Sequence, residues 1–168
     1  MSTLNILKSK KLDHYNTPLY IWKMLMEFLE FNKETIIYEP FWNDGKSKTY
    51  FQKLGYNNII HHDEDFFTSY HKYNFDIIIS NPPYSIKKHI LKTLYQINKP
   101  FILIVPSTII SKQYIKNIFK DDIDKLQYII PSRRMHFEFI DGTINKRCPF
   151  DTIFLCFKLF LKRDLIYM

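Results

Sequence analysis

The sequence predicts an α/β fold built on a doubly wound, mostly parallel sheet, and three observations lead there. Short apolar runs rich in Ile, Val and Phe alternate along the chain with stretches that repeat apolar residues at helical spacing. The runs are continuous rather than alternately polar, as strands buried on both faces are. Two of them end in loops rich in polar residues and proline, Glu39-Pro40 and Ser80-Asn81-Pro82-Pro83, at the edge where open sheets of this kind bind ligands. At 168 residues, with no internal repeat, low-complexity tract or linker, the chain is expected to form a single domain over 1–168, residues 1–16 being a basic arm with Lys8, Lys10 and Lys11.

The first helix is expected to open at Thr17-Pro18, with Thr17 as N-cap and Pro18 in the first turn. Ile21, Met24, Leu25, Phe28 and Leu29 would form its apolar face. A strand over Thr35–Tyr38 then runs into the loop Glu39-Pro40-Phe41-Trp42-Asn43-Asp44-Gly45, followed by a helix over about 47–54. Strand, loop and helix in that order present backbone N–H groups to a ligand. Gly45-Lys46-Ser47 is not a phosphate-binding P-loop, because Pro40 stands where the first glycine of that motif belongs. After the turn Gly55-Tyr56-Asn57-Asn58 comes a strand at 59–61, ending in the acidic run Asp63, Glu64 and Asp65, then Phe66. A carboxylate at this place in an α/β nucleotide site grips ribose hydroxyls, though the run also suits a solvated loop. His61 and His62 point to opposite faces of an extended segment, so no metal site is expected there.

The strand at 75–80 stops at Asn81-Pro82-Pro83-Tyr84. Proline fixes φ and removes backbone donors, leaving carbonyls aimed outward beside a side-chain amide and a ring. Together these suit a planar amine, held by its hydrogens and stacked on the ring. A plain strand-ending turn is the simpler alternative. A helix over about 85–97 follows, with Ile86, Ile90, Leu91 and Leu94 inward and Lys87, Lys88 and Lys92 on its other side. Lys87 and Lys88 fall in the first turn, where the helix dipole disfavours cations and an anionic partner would relieve them. Further strands are expected at 100–105, 126–130 and 152–161, the last open to antiparallel pairing, with a helix at 109–120. The loop Ser132-Arg133-Arg134-Met135-His136-Phe137 mixes bases with aromatics, and Arg133 and Arg134 are candidate substrate contacts.

A net charge of +7 favours a polyanionic partner such as nucleic acid. Cys148 and Cys156 are too far apart for a CxxC pair and too few for a zinc site, so a reducing compartment is expected. No apolar run reaches membrane-spanning length and the basic start lacks a signal-peptide core, which gives the expectation of a soluble intracellular protein.

Asn81-Pro82-Pro83-Tyr84 resembles the hallmark of the S-adenosylmethionine-dependent N6-adenine methyltransferases. Thr17-Pro18, Glu39-Pro40-Phe41, Asp65-Phe66 and Pro149-Phe150-Asp151 extend the likeness over most of the chain. The resemblance implies a Rossmann-like fold of the class I methyltransferase type, here one strand short because 59–67 must supply both ribose and adenine contacts. It implies that Glu39, Pro40, Phe41, Asp44 and Gly45 border the methionine part of S-adenosylmethionine, with Asp63 or Glu64 on its ribose. Asp65 and Phe66 would meet its adenine, and Thr17 its carboxylate end. Asn81, Pro82, Pro83 and Tyr84 would carry the transfer, Asn81 also touching the cofactor, while Tyr84, Lys87, Arg133 and Arg134 meet the nucleic acid. No metal is implied. Where the family loop has a first glycine this chain has Asn43, which motivates the alternative of a catalytically silent nucleic-acid-binding subunit. Protein glutamine methyltransferases use the motif similarly and give a second alternative. The length leaves no separate target-recognition domain, so specificity is expected to be loose or supplied by a protein partner.

Overall fold

A computed structural model describes residues 15–139, 141–145 and 150–168. The strands are β1 (Ile37–Tyr38), β2 (Ile59–Ile60), β3 (Ile77–Ser80), β4 (Phe101–Pro106), β5 (Leu126–Ile130), β6 (Phe137–Glu138), β7 (Ile144–Asn145), β8 (Thr152–Phe157) and β9 (Leu165–Tyr167). Seven of them form one sheet in the order β2-β1-β3-β4-β8-β5-β9, and β6 pairs with β7 as a separate antiparallel hairpin. Within the large sheet every neighbouring pair is parallel except those made by β8, which runs antiparallel to both β4 and β5. The expected fold is therefore present, and among the described residues no strand lies beyond β2.

The continuous apolar runs have a direct explanation. In β4, Ile102 and Ile104 face one layer while Phe101, Leu103 and Val105 face the other; β8 divides in the same way, Phe154 and Cys156 against Ile153, Leu155 and Phe157. One layer is α1 (Leu19–Leu29) with α2 (Lys46–Lys53), packed through Trp22, Leu25 and Phe51. Between β2 and β3 lies α3 (Phe66–Ser69). On the opposite layer α4 (Lys87–Ile97) and α5 (Gln113–Phe119) pack through Ile90, Leu91, Leu94, Ile118 and Phe119. Burial pushes the Cys156 thiol pKa up, so it behaves as a small apolar core residue. No helix among the described residues is long and apolar enough to cross a membrane.

Several boundaries differ from the expected ones. Thr17 is not the cap of α1: Pro18 holds the cap position with φ −61° and ψ 154°, and no side chain caps the helix. Pro18 is itself extended and not helical, so the helix starts one residue later, at Leu19. Ile86 is 43% exposed rather than inward, because Tyr84–Ile86 form a 3-10 turn that shifts the register ahead of α4. The late apolar stretch is shorter than expected, and the chain reverses after it through Lys158 and Phe160, both at positive φ, to add β9 at the sheet edge. Buried Gln127 fastens that reversal: its amide donates to the carbonyls of Leu161 (2.9 Å) and Arg163 (3.2 Å) and accepts from the Leu161 N–H. Lys8, Lys10, Lys11, Cys148 and Pro149 lie outside the described residues.

Candidate functional site

β1 and β3 are neighbours, so the loops leaving their C-terminal ends meet. The hinge between them is Glu39, 2% exposed. Its carboxyl Oε1 accepts from the Ser80 hydroxyl (2.5 Å) and from the Phe41 N–H (3.1 Å). Burial pushes the Glu39 pKa up to about 8, against the lowering pull of those two donors. At neutral pH the carboxyl is thus mostly protonated, which suits a group with no ion pair among the described residues.

On the other side of β1, His61 is 1% exposed and its Nδ1 lies 2.7 Å from the Glu39 carbonyl oxygen. A carbonyl only accepts, so Nδ1 carries the proton. Burial lowers the His61 pKa, which keeps the ring neutral. Its Nε2 is then a buried acceptor without a partner among the described residues. The Trp42 ring packs on the imidazole at 4.8 Å between centroids.

The loop after β1 turns through two residues of positive φ, Asn43 (48°) and Gly45 (79°). Asn43 adopts the left-handed conformation that asparagine tolerates best among non-glycine residues, so the turn is made despite the substitution. At Gly45 a Cβ would lie 2.7 Å from Cζ2 of Trp42, so this glycine is required by space as well as by φ. Asp44 accepts from the Lys46 N–H (3.1 Å) and the Asn16 amide (2.6 Å) and pairs with the Lys46 ammonium at 3.0 Å. Partial burial acts to raise the Asp44 pKa, but these donors outweigh it and hold the carboxyl below the usual carboxylate range.

A cleft of about 370 Å³ opens at this edge. Of the residues expected to hold a cofactor, Pro40, Phe41, Asp63, Glu64, Asp65, Phe66 and Asn81 line it, together with Pro83 of the motif. Thr17, Glu39, Asp44 and Gly45 do not line it: Thr17 and Glu39 are buried, and Asp44 and Gly45 are half-buried. The Phe41 and Phe66 rings meet at 5.3 Å. Asp65 caps α3, its Oδ1 accepting from the Phe67 N–H at 2.8 Å. Asp63, Glu64 and Asp65 are all exposed, and Glu64 pairs with Lys72 at 3.1 Å, which lowers its pKa. The Asn81 Oδ1 is buried and has no hydrogen-bond partner among the described residues.

Outside the cleft, the Tyr84 ring meets Phe150 edge-on at 5.4 Å. The Lys87 ammonium donates to the Tyr84 carbonyl at 3.0 Å, folding back over the motif. Arg134 pairs with Asp151 at 3.1 Å; Arg133 is exposed beside it, while Met135 and Phe137 of the same loop are buried.

Sequence reasoning missed Tyr15, Trp42, Phe67 and Ile86 as cleft residues. It also missed Asn16, which is 5% exposed and ties three pieces together. Its backbone pairs with Glu138 of β6 in both directions, its Oδ1 accepts from the Asn43 amide (2.5 Å), and its own amide donates to Asp44. No local signal in the sequence marks Asn16, because its partners Asn43, Asp44 and Glu138 are distant along the chain.

No known family model matches this sequence, and no curated protein matches it. Among solved structures the chain is similar to a dimethyladenosine transferase from Plasmodium falciparum, with a TM-score of 0.53 and 12% identity over 86% of this chain and 62% of that one. It is also similar to a class I S-adenosylmethionine-dependent methyltransferase from Listeria monocytogenes, at TM-score 0.47 and 13% identity over 92% and 65% of the two chains. The chain thus spans under two thirds of the length of these structures. At such identity the likeness bears on the fold, and the fold is the Rossmann-like one of class I methyltransferases.

Proposed function

We propose that this chain is an S-adenosylmethionine-dependent methyltransferase that acts on the N6 amine of adenine in nucleic acid. The observation that carries the proposal is Asn81: it follows β3 and lines the cleft with Asp65 and Phe66, and its Oδ1 is a buried acceptor without a donor among the described residues. Orphaned buried acceptors are costly in a folded protein and are explained when a ligand brings the donor.

The residues present fit the cofactor. A volume of about 370 Å³ is within the range of small-molecule sites. Phe41 and Phe66 offer apolar faces for a purine, and Asp65 keeps Oδ2 to accept from its amine after Oδ1 has served the helix. Asp63 is better suited than Glu64 to ribose hydroxyls, since Glu64 is engaged by Lys72. Bound there, S-adenosylmethionine would supply an already activated methyl group.

The protein's own task is to make the nucleophile. The adenine N6 lone pair is delocalised into the ring, so the amine attacks poorly while planar. Acceptors that hold its hydrogens out of plane, here the Asn81 Oδ1 and the Pro82 carbonyl, restore the lone pair at nitrogen and orient it. Tyr84 would stack on the extruded base. Asn43 keeps the loop's turn, which favours the active reading over a silent fold.

The test is to incubate the protein with labelled S-adenosylmethionine and adenine-containing DNA and RNA, digest to nucleosides, and separate them. N6-methyladenine is the expected product. Label found only on protein glutamine, or cofactor binding without any transfer, would overturn the proposal.

A further inference from the structure

Three concavities run into one another along one side of the molecule. Ile86 lines the candidate cleft and also a cavity of about 330 Å³ at the start of α4. That cavity shares Lys88 and Lys92 with a third, of about 490 Å³, between α4 and α5. The third is bordered further by Tyr95, Tyr114, Asn117 and Lys120. Among the described residues, neither outer cavity is lined by a carboxylate.

The sequence builds this surface simply. Lys88, Lys92 and Gln96 recur every fourth residue and form one outward stripe on α4, while Ile90, Leu91 and Leu94 take the sheet side. Lys88, Lys92 and Lys120 have no carboxylate partner among the described residues, in contrast to Lys46, Lys72 and Lys125. Lys88 also stands in the first turn of its helix, where the dipole disfavours a cation. Its ammonium lies 5.9 Å from the centre of the Tyr114 ring, whose hydroxyl is buried without a partner among the described residues. The carboxylate beside Tyr95, Asp122, is already compensated by Lys125.

We infer that this groove is the track for a single nucleic-acid strand leading to the cleft, its phosphates over Lys88, Lys92 and Lys120 and a neighbouring base against Tyr114. The inference rests on the reading of the cleft as a nucleic-acid methyltransferase site. Unpaired cations interleaved with rings are what a single strand requires, since phosphates take the charge and any base stacks on an aromatic face. The stripe from Lys88 to Gln96 covers roughly 12 Å at about 1.5 Å per helical residue, room for about three phosphates of a stacked strand. A single strand also delivers its base to the cleft without first breaking a pair.

The experiment measures binding of labelled single-stranded DNA and RNA oligonucleotides against salt, for the wild type and for Lys88→Gln/Lys92→Gln/Lys120→Gln. A control, Lys23→Gln/Lys53→Gln, removes cations from the opposite layer. The groove variant is expected to bind at least about tenfold more weakly at low salt and to lose about two units from the slope of log K against log salt. The control should keep both, and titration with S-adenosylmethionine should give the same cofactor affinity in all three proteins. Binding and slope unchanged in the groove variant, or reduced equally in the control, would overturn the inference, as would equal competition by a polyglutamate peptide. If the wild type binds oligonucleotide through these lysines yet transfers no methyl group, the inference stands and the proposed activity falls.

Discussion

Glu39 concentrates the site's electrostatics in one buried carboxyl. Unfolded, it ionises near the ordinary value of 4.5; folded, it holds its proton to about 8. Across that window folding takes up a proton, so the contribution to stability is complete below the unfolded value and is lost as the pH rises through the folded one, by up to about 1.4 kcal/mol per pH unit. Glu39→Gln keeps an acceptor for Ser80 and Phe41 but cannot ionise. Its thermal midpoint should therefore fall less than that of the wild type between pH 6 and 9; parallel curves would exclude Glu39 as the titrating group. Gly45 is a steric counterpart. Gly45→Ala puts a methyl at φ +79° and against the Trp42 indole, and should cost about 1–3 kcal/mol in denaturant unfolding. A loss below about 0.5 kcal/mol would mean that the indole moves aside freely.

At the scale of elements, the loop after β1 is held from outside by Asn16 and, through it, by the hairpin β6–β7. Asn16→Ala removes one donor from Asp44 and one acceptor from Asn43. S-adenosylmethionine should bind about tenfold more weakly by calorimetric titration, with a loss of about 1–3 kcal/mol in stability; unchanged affinity would show that the loop holds its shape alone. Such ties explain what was legible beforehand. The strand ending at Ser80-Asn81-Pro82-Pro83 and the run Leu126–Ile130 announce themselves, because β-branched composition and chain breakers are local signals. Asn43 at positive φ was readable for the same reason. Asn16 and β9 were not, since each is defined by a partner 28 or more residues distant: Asn16 by Asp44 and Glu138, β9 by β5. The 3-10 turn at Tyr84–Ile86 escaped because three residues of tighter winding leave no periodic trace, and it moved Ile86 from the core to the rim of the cleft.

For the whole molecule, the doubly wound topology decides where chemistry can occur. Placing β1 beside β3 brings together two loops separated by some 40 residues, and Glu39 bonded to Ser80 locks that junction. Of the charges behind the net +7, Lys88 and Lys92 of α4 and Lys120, just after α5, have no carboxylate partner among the described residues and line the cavities beside the cleft. The proposed activity, unlike the groove, depends on Asn81 acting on an adenine amine. The direct measurement is methyl transfer from labelled S-adenosylmethionine to single-stranded adenine-containing oligonucleotide, by the wild type and by Asn81→Ala. Transfer to N6 should be present in the wild type and about 100-fold or more slower in the variant, the usual scale for loss of one positioned polar group. Transfer at an undiminished rate in Asn81→Ala, or to another atom of the base, would contradict the assignment.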